Sequence, residues 1–294
     1  MDYFLALLIS GLLSGAVYAL VGVAFVVVYR ASAVLNFSLG EWVSLGARVT
    51  GVGVQAAGAP FAAALAAAVA LLSLLAVVFN RLVVRRLIGR PVVAVVMATL
   101  ALGVFMRGGS ALSLGGLPSS LPYPFLAELW WIGDIPLPPS RLLASVVAIV
   151  LVLAVMAFFR FSRAGIAIRA IADDPQAATV MGISVPRYLA LAWIISGGLC
   201  VAGGVLWSID GLGGFGMGLV LAKVLPVVVI GGLTSFGGAF AGALVVGVAE
   251  NMAAGYLDQV IGTGSGSVIA ALMVVGMLWV RPAGLFGDRA VVRV

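Results

Sequence analysis

Histidine is absent from this sequence of 294 residues, and cysteine and lysine each occur once, as Cys200 and Lys223. The lack of histidine removes the commonest metal ligand and general base, and a single cysteine excludes an intrachain disulfide. Lys223 lacks the preceding glycines of a phosphate-binding loop, so we do not expect this chain to hydrolyse a nucleotide. With no nucleophile beside a base and no clearly spaced pair of intramembrane carboxylates, an enzyme is disfavoured. The sequence predicts no catalytic residue and no metal site.

Charged residues are also scarce. They make up 9% of the chain, whereas 64% is apolar, and this balance excludes a water-soluble globular protein. A spanning helix needs about 20 apolar residues, so the length accommodates about eight or nine spans joined by short loops. The sequence therefore predicts an all-α fold, in which residues 1–294 form a single transmembrane domain and some spans of the helical bundle are broken or re-entrant.

The predicted spans correspond to apolar blocks. The first block begins without a basic segment and is longer than a signal-peptide core, so we expect a retained span. The second block contains Glu41 and Arg48, and the block at 219–232 is short, which makes both candidates for broken or re-entrant segments. The blocks lie at 3–28, 36–57, 59–79, 91–114, 141–159, 190–210, 219–232, 236–256 and 267–280.

Basic residues predict the sidedness of the loops, because Lys and Arg in short loops stay cytoplasmic. The loop at 115–140 has no basic residue, but it contains six prolines, Trp130, Trp131 and the acids Glu128 and Asp134, so it should face outward. This pattern predicts the N-terminus outside and the C-terminus in the cytoplasm. The net charge of +6 is therefore attributed to cytoplasmic loops beside the lipid bilayer, and no nucleic acid is expected as a partner. The clusters are Arg81, Arg85, Arg86 and Arg90; Arg160, Arg163, Arg169 and Arg187; and Arg281, Arg289 and Arg293.

Glycines are placed where helices could pack closely. There are two GxxxG patterns, at Gly11 and Gly15 and at Gly238 and Gly242. The span at 190–210 contains two glycine pairs, Gly197-Gly198 and Gly203-Gly204, which reduce its side-chain bulk. In lipid, small residues let helices approach one another and supply the packing. We therefore expect a tightly packed bundle.

The longest polar stretch, residues 160–189, is predicted to be a cytoplasmic loop. Asp173 or Asp174 can cap a helix that begins at Pro175, and Gly182 is suited to end it in a left-handed conformation. The predicted helix covers about 175–181 and offers the small side chains of Ala177, Ala178 and Val180. From the residues alone, this helix either lies on the bilayer surface or docks against a partner.

Four motifs spread over nearly the whole chain resemble those of the permease family that serves branched-chain amino acid ABC importers. Residues 35–41 are similar to the Asn-Phe-x-x-Gly-Glu segment that follows the family's first span, and 169–187 is similar to its cytoplasmic coupling loop. The third motif is the glycine-rich run at 231–243, and the fourth is the C-terminal Arg-Pro-x-Gly-Leu-Phe at 281–286.

The resemblance implies that the chain is one permease subunit of an ATP-driven importer in a bacterial inner membrane. It implies as partners a second permease subunit, identical or different, two cytoplasmic ATPase subunits and an extracytoplasmic solute-binding protein. ATP-Mg would be bound by the ATPases, with no cofactor in this chain. The residues that it assigns to ATPase coupling are Arg169, Ala170, Asp173, Asp174, Ala177 and Gly182.

A second group of residues is predicted to line the substrate pathway. Ionisable residues at bilayer depth are costly and usually face a partner or a cavity. Glycines that break a helix could expose backbone groups, and together with the positive end of the following helix these could transiently bind an amino acid carboxylate. The predicted pathway residues are Asn36, Phe37, Glu41, Gly231, Gly232, Thr234, Ser235, Gly237 and Gly238.

Charges at bilayer depth are expected to pair with another span or to reach water, and those near segment ends are expected to be structural. Glu41 and Arg48 are two helical turns apart on one face, and each is expected to pair with another span more readily than with its neighbour. Four other charged residues are expected near segment ends, where a long side chain can reach water. They are Arg107, Asp210, Lys223 and Glu250.

The sequence leaves the substrate and one alternative class open. Leu39 and Thr234 depart from the family pattern, so the cargo could be branched-chain or other hydrophobic amino acids, or urea or short amides. A self-sufficient channel or secondary carrier is the different class. A carrier would need an ion- or proton-coupling site, for which Glu41 and Glu250 are the candidates.

Overall fold

The computed structural model describes residues 2–87, 90–117, 121, 130–132, 135–209 and 220–287. In this part of the chain the backbone is helical apart from loops and one antiparallel hairpin, which pairs β1 (Trp130–Ile132) with β2 (Ile135–Leu137). The predicted all-α fold class is confirmed. The helices are α1 (Asp2–Ser32), α2 (Leu39–Gln55), α3 (Phe61–Phe79), a π-helical turn (Asn80–Val84), α4 (Arg85–Leu87), α5 (Val92–Leu114), α6 (Pro139–Phe161), α7 (Arg163–Asp173), α8 (Pro175–Val180), α9 (Val185–Trp207), α10 (Val220–Gly231), α11 (Phe236–Ile261) and α12 (Ser265–Val280).

Each predicted apolar block contains a helix, but the number of spans differs. Six helical segments of the described chain are long and apolar enough to cross a membrane, which makes this a multi-pass membrane protein. The predicted count of eight or nine is not confirmed, because α10 and α12 are apolar but shorter. The six segments are Asp2–Ser32, Phe61–Leu87, Val92–Leu114, Pro139–Phe161, Val185–Trp207 and Phe236–Val260.

Some predictions concern residues outside the described ranges. Asp210, Arg289 and Arg293 are among them, and so is most of the loop predicted to face outward. The orientation of the termini stays a prediction.

The chain divides into two compact units. The first unit combines Met1–Val26, Pro122–Val152 and Ala222–Val294, and the second combines Val27–Leu121 and Leu153–Leu221. The first therefore contains most of α1, the hairpin, α10, α11 and α12, and the second contains α2 to α5 and α7 to α9.

Glycines bring α1 and α11 together in the first unit, as the GxxxG pattern predicts. A Cβ atom on Gly11 would lie 2.6 Å from Val248 Cα, and one on Gly15 would lie 2.8 Å from the Ala243 carbonyl oxygen. Gly247 of α11 faces both glycines in return. Since a side chain at these positions would push the helices apart, the close packing depends on their absence.

The second unit is organised by α9, which packs against both α2 and α3. Trp193 lies in its core, with ring centroids 6.2 Å from Trp42 and 5.3 Å from Phe79. Gly204 of α9 faces the Val43 carbonyl of α2, so the predicted thinning of this span by glycine is confirmed. This packing places the start of α2 and the C-terminal end of α3 at fixed positions beside α9.

Candidate functional site

The short helix α8 has the ends that the sequence predicts. Asp174 Oδ1 accepts hydrogen bonds from the backbone N–H groups of Gln176 at 2.8 Å and Ala177 at 3.0 Å, so Asp174, and not Asp173, is the N-cap. Gly182 has φ of +81°, and its N–H donates to the Thr179 carbonyl while the Ile183 N–H donates to that of Ala178. These two bonds form a Schellman motif, which ends the helix sharply.

Helix α7 supports α8 and packs on α9. Its N-cap Ser162 accepts a hydrogen bond from the Gly165 N–H at 2.9 Å, and the side of α7 that contains Ile168 and Ile171 is buried. The predicted coupling residues Arg169 and Ala170 serve this local structure, because Arg169 Nη2 donates to the Arg160 carbonyl and the Ala170 carbonyl accepts from the Asp174 N–H. The capped helix α8 therefore projects from an anchored base.

The exposed surface of α8 differs from the prediction. Ala178 is buried, so it does not contribute to the surface expected from Ala177, Ala178 and Val180. Ala177 and Val180 are exposed as predicted. Val180 and Met181 are exposed by 87% and 80%, and they form an apolar tip beside the polar cap. The sequence prediction missed Met181, although its position just before the helix-ending glycine was the available signal.

In the second unit, Asn36 begins a buried polar turn that leads into α2. Asn36 Oδ1 accepts hydrogen bonds from the Ser38 N–H at 3.1 Å and the Ser38 hydroxyl at 2.6 Å. Ser38 Oγ accepts in turn from Trp42 Nε1 at 3.0 Å. Phe37, another predicted pathway residue, donates its N–H to Thr99 Oγ1 of α5 at 3.3 Å. The turn therefore fixes how α2 begins beside α5.

Glu41 pairs with α5 rather than with its neighbour on α2, as predicted. Arg107 Nε donates to Glu41 Oε1 at 2.8 Å, and Arg107 Nη2 contacts the same oxygen. Two turns along α2, Arg48 Nη1 donates to Ser110 Oγ of α5 at 3.3 Å. The Glu41 side chain is 11% exposed and that of Arg107 is 68% exposed. The carboxylate is thus enclosed, while its partner reaches the surface of the unit.

The glycine-rich segment interrupts the helix between α10 and α11, as predicted. Gly232 has φ of +107°, and Ser235 Oγ caps α11 by accepting from the Gly238 N–H at 3.0 Å. Gly231 and Gly238 face each other without room for a side chain. The segment is therefore a sharp, closely packed bend, which glycine alone allows at Gly232.

Two carbonyls at this bend are bonded to the C-terminal segment. The Leu285 N–H donates to the Ile230 carbonyl at 2.8 Å, and the Phe286 N–H donates to that of Gly231 at 3.1 Å. The third and fourth sequence motifs thus meet in one joint of the first unit. Thr234 is half-buried and Gly237 is exposed beside it. Whether these residues line a substrate pathway stays a prediction.

The first unit also contains an ionic cluster, in which Lys223 lies near the start of α10 as predicted but the position predicted for Glu250 is wrong. Glu250 was expected near a segment end, but it lies inside α11 and is 4% exposed. Its Oε2 accepts hydrogen bonds from Lys223 Nζ of α10 at 2.9 Å and from the Tyr18 hydroxyl of α1 at 3.0 Å. The available signal was the distance of Glu250 from Ser235, because fifteen residues extend about 22 Å along a helix and so place Glu250 well beyond the helix start.

With this geometry described, the sequence can be compared with known proteins. Residues 7–280 match the family described as "Branched-chain amino acid transport system / permease component". The chain belongs to this family. The permease is 26% identical over 310 residues to the high-affinity branched-chain amino acid transport system permease protein LivH of Escherichia coli, covering 99% of this chain and 98% of LivH.

Two further relatives and one solved structure agree with this assignment. The permease is 26% identical to BraD of Pseudomonas aeruginosa, also a high-affinity branched-chain amino acid transport system permease protein, over 99% of this chain and 98% of BraD. It is 31% identical to a probable LivH of Methanocaldococcus jannaschii over 48% of this chain and 46% of that protein. PsaBC from Streptococcus pneumoniae, solved in complex with Fab, superposes with a TM-score of 0.51 at 15% identity and covers 95% of this chain and 94% of that one. At that identity the superposition supports the fold alone.

Proposed function

We propose that this permease is a transmembrane subunit of an ATP-binding cassette importer that moves branched-chain or other hydrophobic amino acids into the cell. The family and the printed names of LivH and BraD support the substrate class. The proposed partners are a second permease subunit, two cytoplasmic ATPase subunits that bind ATP-Mg, and an extracytoplasmic solute-binding protein. ATP hydrolysis would then occur outside this chain.

The observation that carries the proposal is the apolar tip of α8. Val180 and Met181 are almost fully exposed on a helix of six residues whose two ends are fixed by Asp174 and Gly182. Exposing two large apolar side chains beside a polar loop is unfavourable unless a partner covers them. A rigid apolar tip of this size suits a groove in an ATPase subunit, where a few buried side chains can supply most of the binding energy.

The attachment of α8 supports a mechanical role. Because only Asp174 separates α8 from α7, and α7 contacts both α8 and the membrane-spanning α9, a displacement of the tip would be transmitted to the span as a rigid-body movement. Nucleotide-driven closure of the ATPase subunits would supply that displacement. The basic residues around α7 support a cytoplasmic location for the tip.

The proposal is tested by reconstituting the permease in sealed vesicles with the proposed ATPase, second-permease and binding-protein partners. We expect ATP-dependent leucine uptake, reduced at least tenfold by Val180→Ser with Met181→Ser, and reduced similarly by Asp174→Ala with Gly182→Ala, which removes both helix caps. Val260→Ser is the matched control, because Val260 is 82% exposed but lies at the end of α11.

Two results would contradict the proposal. Normal ATP-driven uptake by both α8 variants would show that α8 does not couple transport to ATP hydrolysis. Concentrative uptake by the permease alone, without ATP, would favour the secondary carrier. In the structure Glu41 and Glu250, the two carboxylates available to such a carrier, already have cationic partners.

A further inference from the structure

The cluster of Tyr18, Lys223 and Glu250 connects three helices within the first unit. Lys223 Nζ donates to Glu250 Oε2 at 2.9 Å and to the Tyr18 hydroxyl at 3.2 Å. The Tyr18 hydroxyl in turn donates a hydrogen bond to Glu250 Oε2 at 3.0 Å. One carboxylate oxygen therefore receives two charge-assisted or polar hydrogen bonds, and the cluster is held in a defined geometry.

Two members of the cluster lie deep within membrane-spanning helices, and the third, Lys223, lies in the first turn of the shorter helix α10. Glu250 is the fifteenth residue of the 26-residue helix α11, and Tyr18 is the seventeenth of the 31-residue helix α1. With a rise of 1.5 Å per residue, each is about 16 to 24 Å from either end of its helix. Charges at such a depth are costly in a bilayer, and transporter binding sites lie near the midplane.

The cluster also has unused hydrogen-bonding capacity on both charges. Lys223 has three N–H groups, of which two are bonded within the described chain, and its side chain is 30% exposed. Glu250 Oε1 is buried and accepts no hydrogen bond. A pair that served packing alone could be replaced by apolar side chains at little cost. Among the described residues the cluster therefore has one unused donor, on Lys223, and one enclosed acceptor without a partner, Glu250 Oε1, and this combination suits a ligand that carries both charges.

We propose that Lys223 and Glu250 form a transient intramembrane site for the zwitterionic head group of an α-amino acid. The substrate carboxylate accepts a hydrogen bond from the third N–H of Lys223, and the substrate ammonium donates to Glu250 Oε1. Glu250 Oε1 is enclosed, but the terminal torsion of a glutamate is soft, so the carboxyl group can rotate to present an oxygen to the substrate ammonium. Tyr18 holds the other oxygen and is a positioning residue. The inference rests on the proposed importer function and deepens it.

This site would also distinguish between the substrate classes. A zwitterion offers a carboxylate to Lys223 and an ammonium to Glu250 at the same time. Urea and short amides are uncharged, so they would not displace Lys223 from Glu250. The binding is expected to be weak, because the Lys223–Glu250 ion pair competes with the substrate and forms again when the substrate leaves. The site therefore favours amino acids as cargo.

The test uses the complete reconstituted transporter with saturating binding protein. The decisive variant combines Lys223→Met with Glu250→Leu, which removes both charges and keeps an apolar filling. A second variant, Lys223→Gln, keeps the chain length and a donor. Asn251→Leu is the matched control, because the neighbouring Asn251 donates to the Gly247 carbonyl of its own helix and stands outside the cluster. Leucine uptake, ATP hydrolysis and the unfolding midpoint are measured for each.

We expect the double variant to keep its unfolding midpoint and its binding-protein-stimulated ATP hydrolysis while the maximal leucine uptake falls at least tenfold. Fewer leucine molecules would then cross per ATP, and Lys223→Gln should behave in the same direction. Wild-type uptake by the double variant would overturn the site, as would a parallel loss of uptake, ATP hydrolysis and stability, which is the signature of a structural role. If the wild-type transporter imports no leucine, the proposed function fails, and this outcome is separate from any difference among variants.

Discussion

Two acid–base pairs, one in each unit, use the same charges in different ways. Glu41 binds Arg107 through two nitrogens of the guanidinium group, and the arginine side chain is 68% exposed. Glu250 binds Lys223, whose side chain is 30% exposed, and shares the ammonium with Tyr18. Both carboxylates are largely enclosed, at 11% and 5% exposure, so the cations account for the difference.

The comparison shows how the choice of cation decides what a membrane-embedded pair can do. The guanidinium group is planar and rigid and directs two of its nitrogens at one oxygen of the carboxylate, which favours a permanent cross-link between α2 and α5. The ammonium of Lys223 is a compact charge on a flexible side chain. Its third N–H has no acceptor among the described residues, which favours exchange of partners. The predictions that follow test this contrast, from the largest expected effect to the smallest.

The largest effect is expected from Lys223→Met alone. This substitution leaves the Glu250 carboxylate buried without its cation, and breaking a buried pair in this way costs about 3 kcal/mol or more. The free energy of unfolding can be compared by titrating denaturing detergent into the purified permease. The Lys223→Met, Glu250→Leu pair is the control and should recover most of the loss. Equal stability of the single variant and the wild type would contradict the enclosed character of this carboxylate.

Tyr18→Phe should have the next largest effect. It removes a buried hydroxyl that donates to an ionised carboxylate, a bond worth about 1.5 kcal/mol. Tyr3→Phe is a close control, because Tyr3 is also on α1 and its hydroxyl also bonds α11, through the Gly255 carbonyl at 2.9 Å, but this residue is exposed. The same unfolding titration should show a smaller loss for Tyr3→Phe. The reverse order would argue against a tightly held Lys223–Glu250 cluster.

Arg107→Lys is expected to lower the free energy of unfolding by about 1 kcal/mol or less, because lysine cannot place two nitrogens on the Glu41 oxygen but the cation of this pair is largely exposed. Arg86→Lys provides the control, since Arg86 is exposed and has no ion-pair partner among the described residues. Its stability should stay within about 0.5 kcal/mol of wild type. If Arg107→Lys were as costly as Lys223→Met, the contrast between the two pairs would be wrong.

The smallest effect is expected from Ser110→Ala, about 0.5 kcal/mol, because the hydrogen bond from Arg48 is long at 3.3 Å. Ser113→Ala on the same helix is the control, since its hydroxyl bonds only the Gly109 carbonyl one turn away. Thermal unfolding of the two variants side by side should separate them by a small but reproducible interval. A larger loss for Ser113→Ala would show that the α2–α5 contact at Arg48 contributes little.

Local patterns in the sequence predicted the features that depend on neighbours in the chain. Continuous apolar runs located the helices, and the Asp174, Pro175 and Gly182 signals located α8, because caps are determined within one helical turn. Gly11 and Gly15 were correctly assigned to a packing seam, since spacing alone places them on one face.

Features that depend on another helix were beyond local patterns. That Glu41 and Arg48 both meet α5 requires knowledge of which helix lies opposite α2. The burial of Ala178 and the depth of Glu250 likewise follow from tertiary packing. The bonding of the C-terminal segment to the bend before α11 joins residues more than fifty positions apart, and neither motif contains a signal for the other.

The joint between Gly231 and the backbone of Phe286 has a practical consequence for handling the protein. Truncation of the protein after α12 would remove the two N–H groups that donate to the Ile230 and Gly231 carbonyls. These carbonyl oxygens would then need water as a partner in a closely packed bend. An affinity tag or fluorescent fusion should therefore follow the tail and never replace it. The segment that contains Leu285 and Phe286 thus holds the end of α10 in place, although it lies more than fifty residues further along the sequence.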